Sequence, residues 1–207
     1  MTRPTPSPDA APTALTTPLD EATVRSLTPG TAITLSGTIY TGRDRLHRHL
    51  YDGHPAPVPL HDGVIFHCGP VVVATDDGWR IVAAGPTTSM REEPYMARII
   101  AEHGIRLIIG KGGMGAATVA ACRRYGCVYV QAVGGAAASI AATISRVGRL
   151  WFAAEFGTTE AMWELTVANL PGVVAIDAHG RSLYDQVAAD SKRQLATLLQ
   201  RHEEEIA

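Results

Sequence analysis

The chain has 207 residues, 46% of them hydrophobic, enough to bury the core of one generous domain. Its 18 basic and 20 acidic side chains leave a net charge of -2, which excludes a general polyanion-binding surface, so nucleic acid is not an expected partner and any cationic site must be local. No apolar run reaches the ~18 residues of a membrane span, and the N-terminus lacks the apolar core of a signal peptide, which predicts a cytoplasmic chain without membrane contact.

Residues 1–17 are mostly Thr, Pro and Ala, a composition that buries too little surface to order itself. They are expected to form a disordered tail ahead of a single domain over 18–207. The segment TAITLSGTIY alternates apolar and polar residues and predicts a strand with one buried face. DRLHRHLYDG carries Leu46 and Leu50 at helical spacing and ends at Gly53, and HPAPVPLHDG follows as a proline loop. VIFHCGPVVVA and WRIVAAGP, separated by TDDG, predict a hairpin.

Beyond Pro86 the pattern changes to alternating helices and strands. REEPYMARIIAEHG, MGAATVAACRRYG, GAAASIAATIS and TEAMWELTVAN are expected as helices. RLIIG, VYVQAV, LWFAAEF and VVAIDA are expected as strands between them, with a last helix from about Leu183. The implied architecture is α/β, with a β-rich front layer and parallel βα units behind.

Four segments place Gly, Thr or a lone cation where a strand gives way to a helix or loop, the usual place for a site in α/β proteins. They are Gly42-Arg43-Asp44, the run GPTTSMR from Gly85 to Arg91, the run GKGGMG from Gly110 to Gly115, and Gly134-Gly135-Ala136-Ala137. In GPTTSMR the hydroxyls and backbone N–H groups of a helix start suit an oxyanion, and Arg91 can fork over a carboxylate; an ordinary cap with a surface arginine is the plain alternative. Lys111 among glycines fits an anionic ligand or simple turn chemistry, and GKGGMG has neither Walker A nor dinucleotide spacing. Taken alone, Arg43 and Asp44 read first as a surface ion pair. Taken together, Arg43, Arg91 and Lys111 would suit a ligand with two carboxylates.

Cys68, Cys122 and Cys127 match in number the ligands of an iron-sulfur cluster with one open iron. They fall in a strand, in a helix and at the start of another strand, and are read as small buried hydrophobes. The histidines, His47 and His67 among them, have no zinc-site spacing, so no metal site is expected within the chain.

The segments TGRDRLH, FHCGPV, AGPTTSMR, GKGGM, GGAAA, EFGTTEAMWELTV and VVAIDAHGRSLYD, in this order, resemble the C-terminal domain of class I fumarases and the beta subunit of L(+)-tartrate dehydratases. The resemblance implies a swivelling β/β/α domain that pairs with a cluster-bearing alpha subunit, as α2β2, in a hydro-lyase acting on a 2-hydroxy dicarboxylate. By it, (S)-malate/fumarate is the first substrate pair, and L-tartrate or mesaconate/citramalate the alternatives. It implies a 4Fe-4S cluster held by three cysteines of the partner, whose open iron acts as a Lewis acid, and none held by this chain. By the same resemblance Thr87 matches the proposed catalytic base, Arg43, Arg91 and Lys111 match carboxylate-binding side chains, and Asp44, His47 and Thr88 are supporting residues. Thr158-Thr159 departs from the usual fumarase wording and leaves the substrate open. From another class, a non-catalytic dicarboxylate-binding domain is the competing reading.

Overall fold

The alternation in AITLSGTIYTG becomes strand β2 (Ala32–Gly42), which buries Ile33, Leu35 and Ile39 on one face. The computed structural model describes residues 11–206. Ahead of β2 lie β1 (Thr13–Thr16) and α1 (Glu21–Ser26), and after it come α2 (Asp44–Tyr51), β3 (Val64–His67) and the hairpin β4 (Val71–Thr75) and β5 (Gly78–Ala83). A 3-10 turn (Ser89–Glu92) leads into α3 (Glu93–His103), β6 (Leu107–Gly110), α4 (Ala116–Tyr125) and β7 (Val128–Gln131). The chain ends with α5 (Ala137–Ala141), β8 (Ile144–Trp151), α6 (Ala153–Phe156), β9 (Met162–Ile176) and α7 (Leu183–Ile206).

Strands β2, β3, β6 and β7 pair in that order, all parallel, and β9 runs antiparallel to both β7 and β2. β9 therefore closes a ring of five strands. β1 adds to β2 in parallel, β8 adds to β9, and the β4–β5 hairpin forms a separate two-stranded sheet. The fold is mixed α/β, a closed strand ring flanked by helices.

β3, β6 and β7 are buried on both faces, as parallel strands with crossover helices require. Their alternate residues Val64, Phe66, Leu107, Ile109, Val128 and Val130 join Trp163 and Leu165 of β9 in one apolar cluster. Ile65, Ile108 and Tyr129 point the other way, onto Leu46 of α2, Ile99 and Ile100 of α3, and Cys122 of α4.

Five expectations are corrected. TEAMWELTVAN is not a helix: from Met162 it is the first part of β9, where Trp163, Leu165 and Val167 are buried at a period of two. Its helix-forming residues lose to the pairing of β9 with β2. In LWFAAEF only Leu150 and Trp151 are strand, and Ala153–Phe156 is a helix; the helix expected over GAAASIAATIS stops at Ala141. β3 leaves the expected hairpin to join the ring, so the hairpin is β4–β5 alone. Finally, the expected tail of residues 1–17 is ordered from Thr13, because β1 takes backbone hydrogen bonds from β2 and buries Leu15; residues 1–10 of that expectation lie outside the described residues.

Candidate functional site

The parallel strands end on one side of the ring, so the segments that follow them meet there. Gly42 leads from β2 into Arg43, His67 from β3 into Cys68, and Gly110 from β6 into Lys111. The GPTTSMR segment is laid across these ends: Cys68 bridges to Pro86, Thr87 N–H donates to the His67 carbonyl at 2.7 Å, and Ser89 N–H donates to the Lys111 carbonyl at 2.9 Å. Thr88 pairs in parallel with Lys111. The fourth segment joins through Ala84 N–H, which donates to the Ala137 carbonyl at 2.9 Å, and through the Lys111 chain, which passes 3.7 Å from where a Cβ on Gly134 would lie. Crevices at the carboxyl ends of parallel strands are the standard ligand sites of such sheets.

Each candidate side chain has a distinct environment. Arg43 precedes α2, with Nε 3.4 Å from Glu160 Oε1, and both are about one-fifth exposed. Glu160 Oε2 also accepts from Arg45 N–H at 3.1 Å, so this carboxylate pins the start of α2. Arg91 is exposed and donates through Nη2 to Asp44 Oδ2. Lys111 is half-buried, and among the described residues no carboxylate lies within ion-pair distance of it. Thr87 is half-buried and Thr88 exposed; Thr88 caps the 3-10 turn without a side-chain hydrogen bond.

The backbone N–H groups of Thr87 and Ser89 are consumed by His67 and Lys111, so the anion-binding turn read from the sequence is not open at those two positions. The start of α4 is likewise filled from within. The Glu93 carboxylate accepts from Gly115 N–H at 2.8 Å, Ala117 N–H at 3.1 Å, Thr118 N–H at 3.3 Å and the Thr118 hydroxyl at 2.6 Å.

Beneath the surface cations lies a polar layer of which only His47 was expected from the sequence. Tyr129 OH donates to Ser89 Oγ at 3.0 Å, and Ser89 Oγ lies 2.9 Å from His67 Nδ1. His47 Nδ1 faces the Arg43 carbonyl at 2.8 Å and Glu92 Oε2 at 3.3 Å, and the two imidazoles meet edge to face at 4.9 Å. Burial lowers the pKa of His47 to about 4 and that of His67 well below its ordinary value, so both rings are neutral. Glu92 is fully buried, and burial together with Asp44 raises its pKa to about 9. Glu92 and Glu93 carry no local signal within the helical run REEPYMARIIAEHG, and His67 read as one of several scattered histidines; only tertiary packing reveals them.

Cys68 lies in one apolar cluster and Cys122 and Cys127 in the other, all three buried with free thiols. Burial pushes the Cys68 thiol up to about 12 and the Cys127 thiol well above its ordinary value, so neither is poised as a thiolate. Among the described residues no group of three or more His, Cys, Asp or Glu side chains could hold a metal ion.

The family model described as Fumarase C-terminus matches residues 3–187. The chain belongs to that family. Among its relatives, a putative class I fumarate hydratase of Geobacillus stearothermophilus is 45% identical over 88% of this chain, which spans only 35% of that protein. A putative L(+)-tartrate dehydratase subunit beta of Methanocaldococcus jannaschii is 38% identical over 82% of this chain and 89% of its own length. The L(+)-tartrate dehydratase subunit beta of Escherichia coli is 36% identical over 82% of this chain and 85% of its own length. The Fumarase C-terminus match reaches only the first residues of α7, so all four site segments lie within it.

Proposed function

We propose that this chain is the beta subunit of a two-subunit 4Fe-4S hydro-lyase of the cytoplasm, reversibly dehydrating a 2-hydroxy dicarboxylate, with (S)-malate/fumarate as the substrate pair. The observation that carries this reading is the gathering of Thr87, Arg43, Arg91 and Lys111 at the carboxyl ends of β2, β3 and β6. The fumarate hydratase relative supports the substrate pair, and the beta-subunit relatives keep L-tartrate as the second reading and supply the expectation of a separate alpha subunit. An α2β2 assembly and a swivelling β/β/α placement of this domain belong to the same proposal.

The cysteines here do not fit a cluster. Cys68 is in a different apolar cluster from Cys122 and Cys127, and burial keeps the Cys68 and Cys127 thiols protonated. The cluster is therefore assigned to the alpha subunit, and the steps assigned to this chain are its own. Lys111, with no carboxylate partner among the described residues, takes one substrate carboxylate; Arg91 and Arg43 take the other by parallel N–H donation. Thr87 Oγ1, as an alkoxide stabilised by nearby cations, then takes the proton from the carbon next to the departing hydroxyl and becomes the neutral hydroxyl.

The test is Thr87→Ala in the complex purified anaerobically with its alpha subunit and assayed with fumarate, L-tartrate and mesaconate. Turnover is expected to vanish with cluster absorbance intact. Near-normal turnover overturns the role of Thr87, and failure to associate with any cluster-bearing chain favours a dicarboxylate-binding domain instead.

A further inference from the structure

Three carboxylate oxygens at the centre of the site are buried without a hydrogen-bond donor: Asp44 Oδ1, Glu92 Oε1 and Glu92 Oε2. Leaving such atoms unsatisfied is costly, and two facing carboxylates in contact repel. Asp44 and Glu92 are drawn to one place by their neighbours: His47, on the helix that Asp44 opens, has Nδ1 3.3 Å from Glu92 Oε2, Arg91 next to Glu92 donates to Asp44 Oδ2, and each carboxyl shifts the pKa of the other. One proton held between them satisfies an oxygen on each side, and the remaining Glu92 oxygen faces His47 Nδ1 at 3.3 Å.

The position of this pair gives it a purpose. Asp44 Oδ2 receives Arg91, the neighbour of Glu92 in sequence, and Asp44 follows Arg43, whose carbonyl faces His47 Nδ1 at 2.8 Å. Glu92 thus sits with Asp44, which holds the Arg91 guanidinium, and with His47, which holds the Arg43 backbone, while the Arg43 side chain is held by Glu160. We propose that Glu92 is a positioning residue: its buried carboxyl shares a proton with Asp44 and so fixes Asp44 between Arg91 and Arg43, setting one geometry for the dicarboxylate clamp. This rests on the function proposed above.

The groups facing Glu92 are Asp44 and His47 of α2, Arg91 of the 3-10 turn, and, at longer range, Glu160 ahead of β9. His47 is neutral, so no nearby imidazolium neutralises an ionised Glu92. As the shared proton leaves, near pH 9 for Glu92, a second negative charge competes with Asp44 for Arg91 and the clamp loosens.

Two measurements test this. In the complex with the alpha subunit, Glu92→Ala is expected to raise KM about tenfold or more with kcat little changed, the signature of lost uniform binding. Glu92→Gln, which donates to Asp44 as the neutral acid does, is expected to rescue most of that loss and to lack the rise of KM toward pH 9 expected of the parent. In the purified full chain, infrared difference spectra of the parent against Glu92→Gln are expected to show a protonated-carboxyl band at neutral pH that the variant lacks. An unchanged KM in Glu92→Ala, no rescue by Glu92→Gln, or the absence of that band overturns the proposal. A parent complex that turns over no dicarboxylate instead overturns the assigned reaction, and the infrared band still decides whether the proton is shared.

Discussion

Ser89 occupies the space that a side chain on Gly110 would need: a Cβ there would fall 1.8 Å from Ser89 Oγ and 3.1 Å from the Tyr129 hydroxyl. The glycine that ends β6 is therefore required by packing, because the Ser89 hydroxyl must reach both Tyr129 and His67. Gly110→Ala is expected to destabilise the fold by about 1–3 kcal/mol through overpacking. Ser89→Ala, which strips a partner from His67 and Tyr129, is expected to cost about 1–3 kcal/mol. Because the new methyl fills the space the hydroxyl leaves, the double variant should be more stable than the two losses added, with a coupling of about 0.5–3 kcal/mol in urea unfolding. Strict additivity would contradict the contact.

Much of the fold was legible because the parallel units advertise themselves. RLIIG and VYVQAV are short apolar runs between amphipathic helices, and both became ring strands. The four candidate segments that the fold brings together were legible too, since Gly42 and Gly110 end β2 and β6, and Gly85 and Gly134 follow closely on β5 and β7. Failure came where tertiary partners decide. The residues Glu, Ala, Met and Leu in TEAMWELTVAN favour helix locally, and only β2 and β8 on either side hold Met162–Val167 extended. Thr13–Thr16 has the composition of a tail until β2 supplies its hydrogen bonds. Likewise, no local pattern distinguishes Glu92, buried against Asp44, from Glu93, one position on, which caps α4.

That cap makes a second prediction. The Glu93 carboxylate alone accepts three backbone N–H groups and a hydroxyl at the start of α4. Removing a helix cap of this kind costs about 1–2 kcal/mol. For a chain of this size, each kcal/mol lowers Tm by about 2–4 °C. Glu93→Ala is expected to show that loss by thermal denaturation, and Glu93→Gln, whose amide oxygen still accepts, a smaller one. Equal losses in the two variants would mean that the carboxylate contributes through charge and not through its hydrogen bonds.

The buried acid and the buried histidines tilt stability in opposite directions with pH. Glu92 has an ordinary value of 4.5 and is raised to about 9 in the fold, so across that window the native state holds a proton that the unfolded chain releases. Stability through Glu92 therefore falls as pH rises, with a slope approaching about 1.4 kcal/mol per pH unit for one proton. His47 has an ordinary value of 6.5 and is lowered to about 4, and His67 is lowered for the same reason of burial. Below 6.5 the unfolded chain takes up protons that these neutral rings refuse, so their contribution is lost as pH falls toward 4. The expected profile of urea midpoints has a maximum near the ordinary histidine value, with an acid limb set by the two rings and an alkaline limb set by Glu92. Glu92→Gln should flatten the alkaline limb up to about pH 9 while leaving the acid limb in place. An alkaline limb unchanged in that variant would show that Glu92 does not carry the proton.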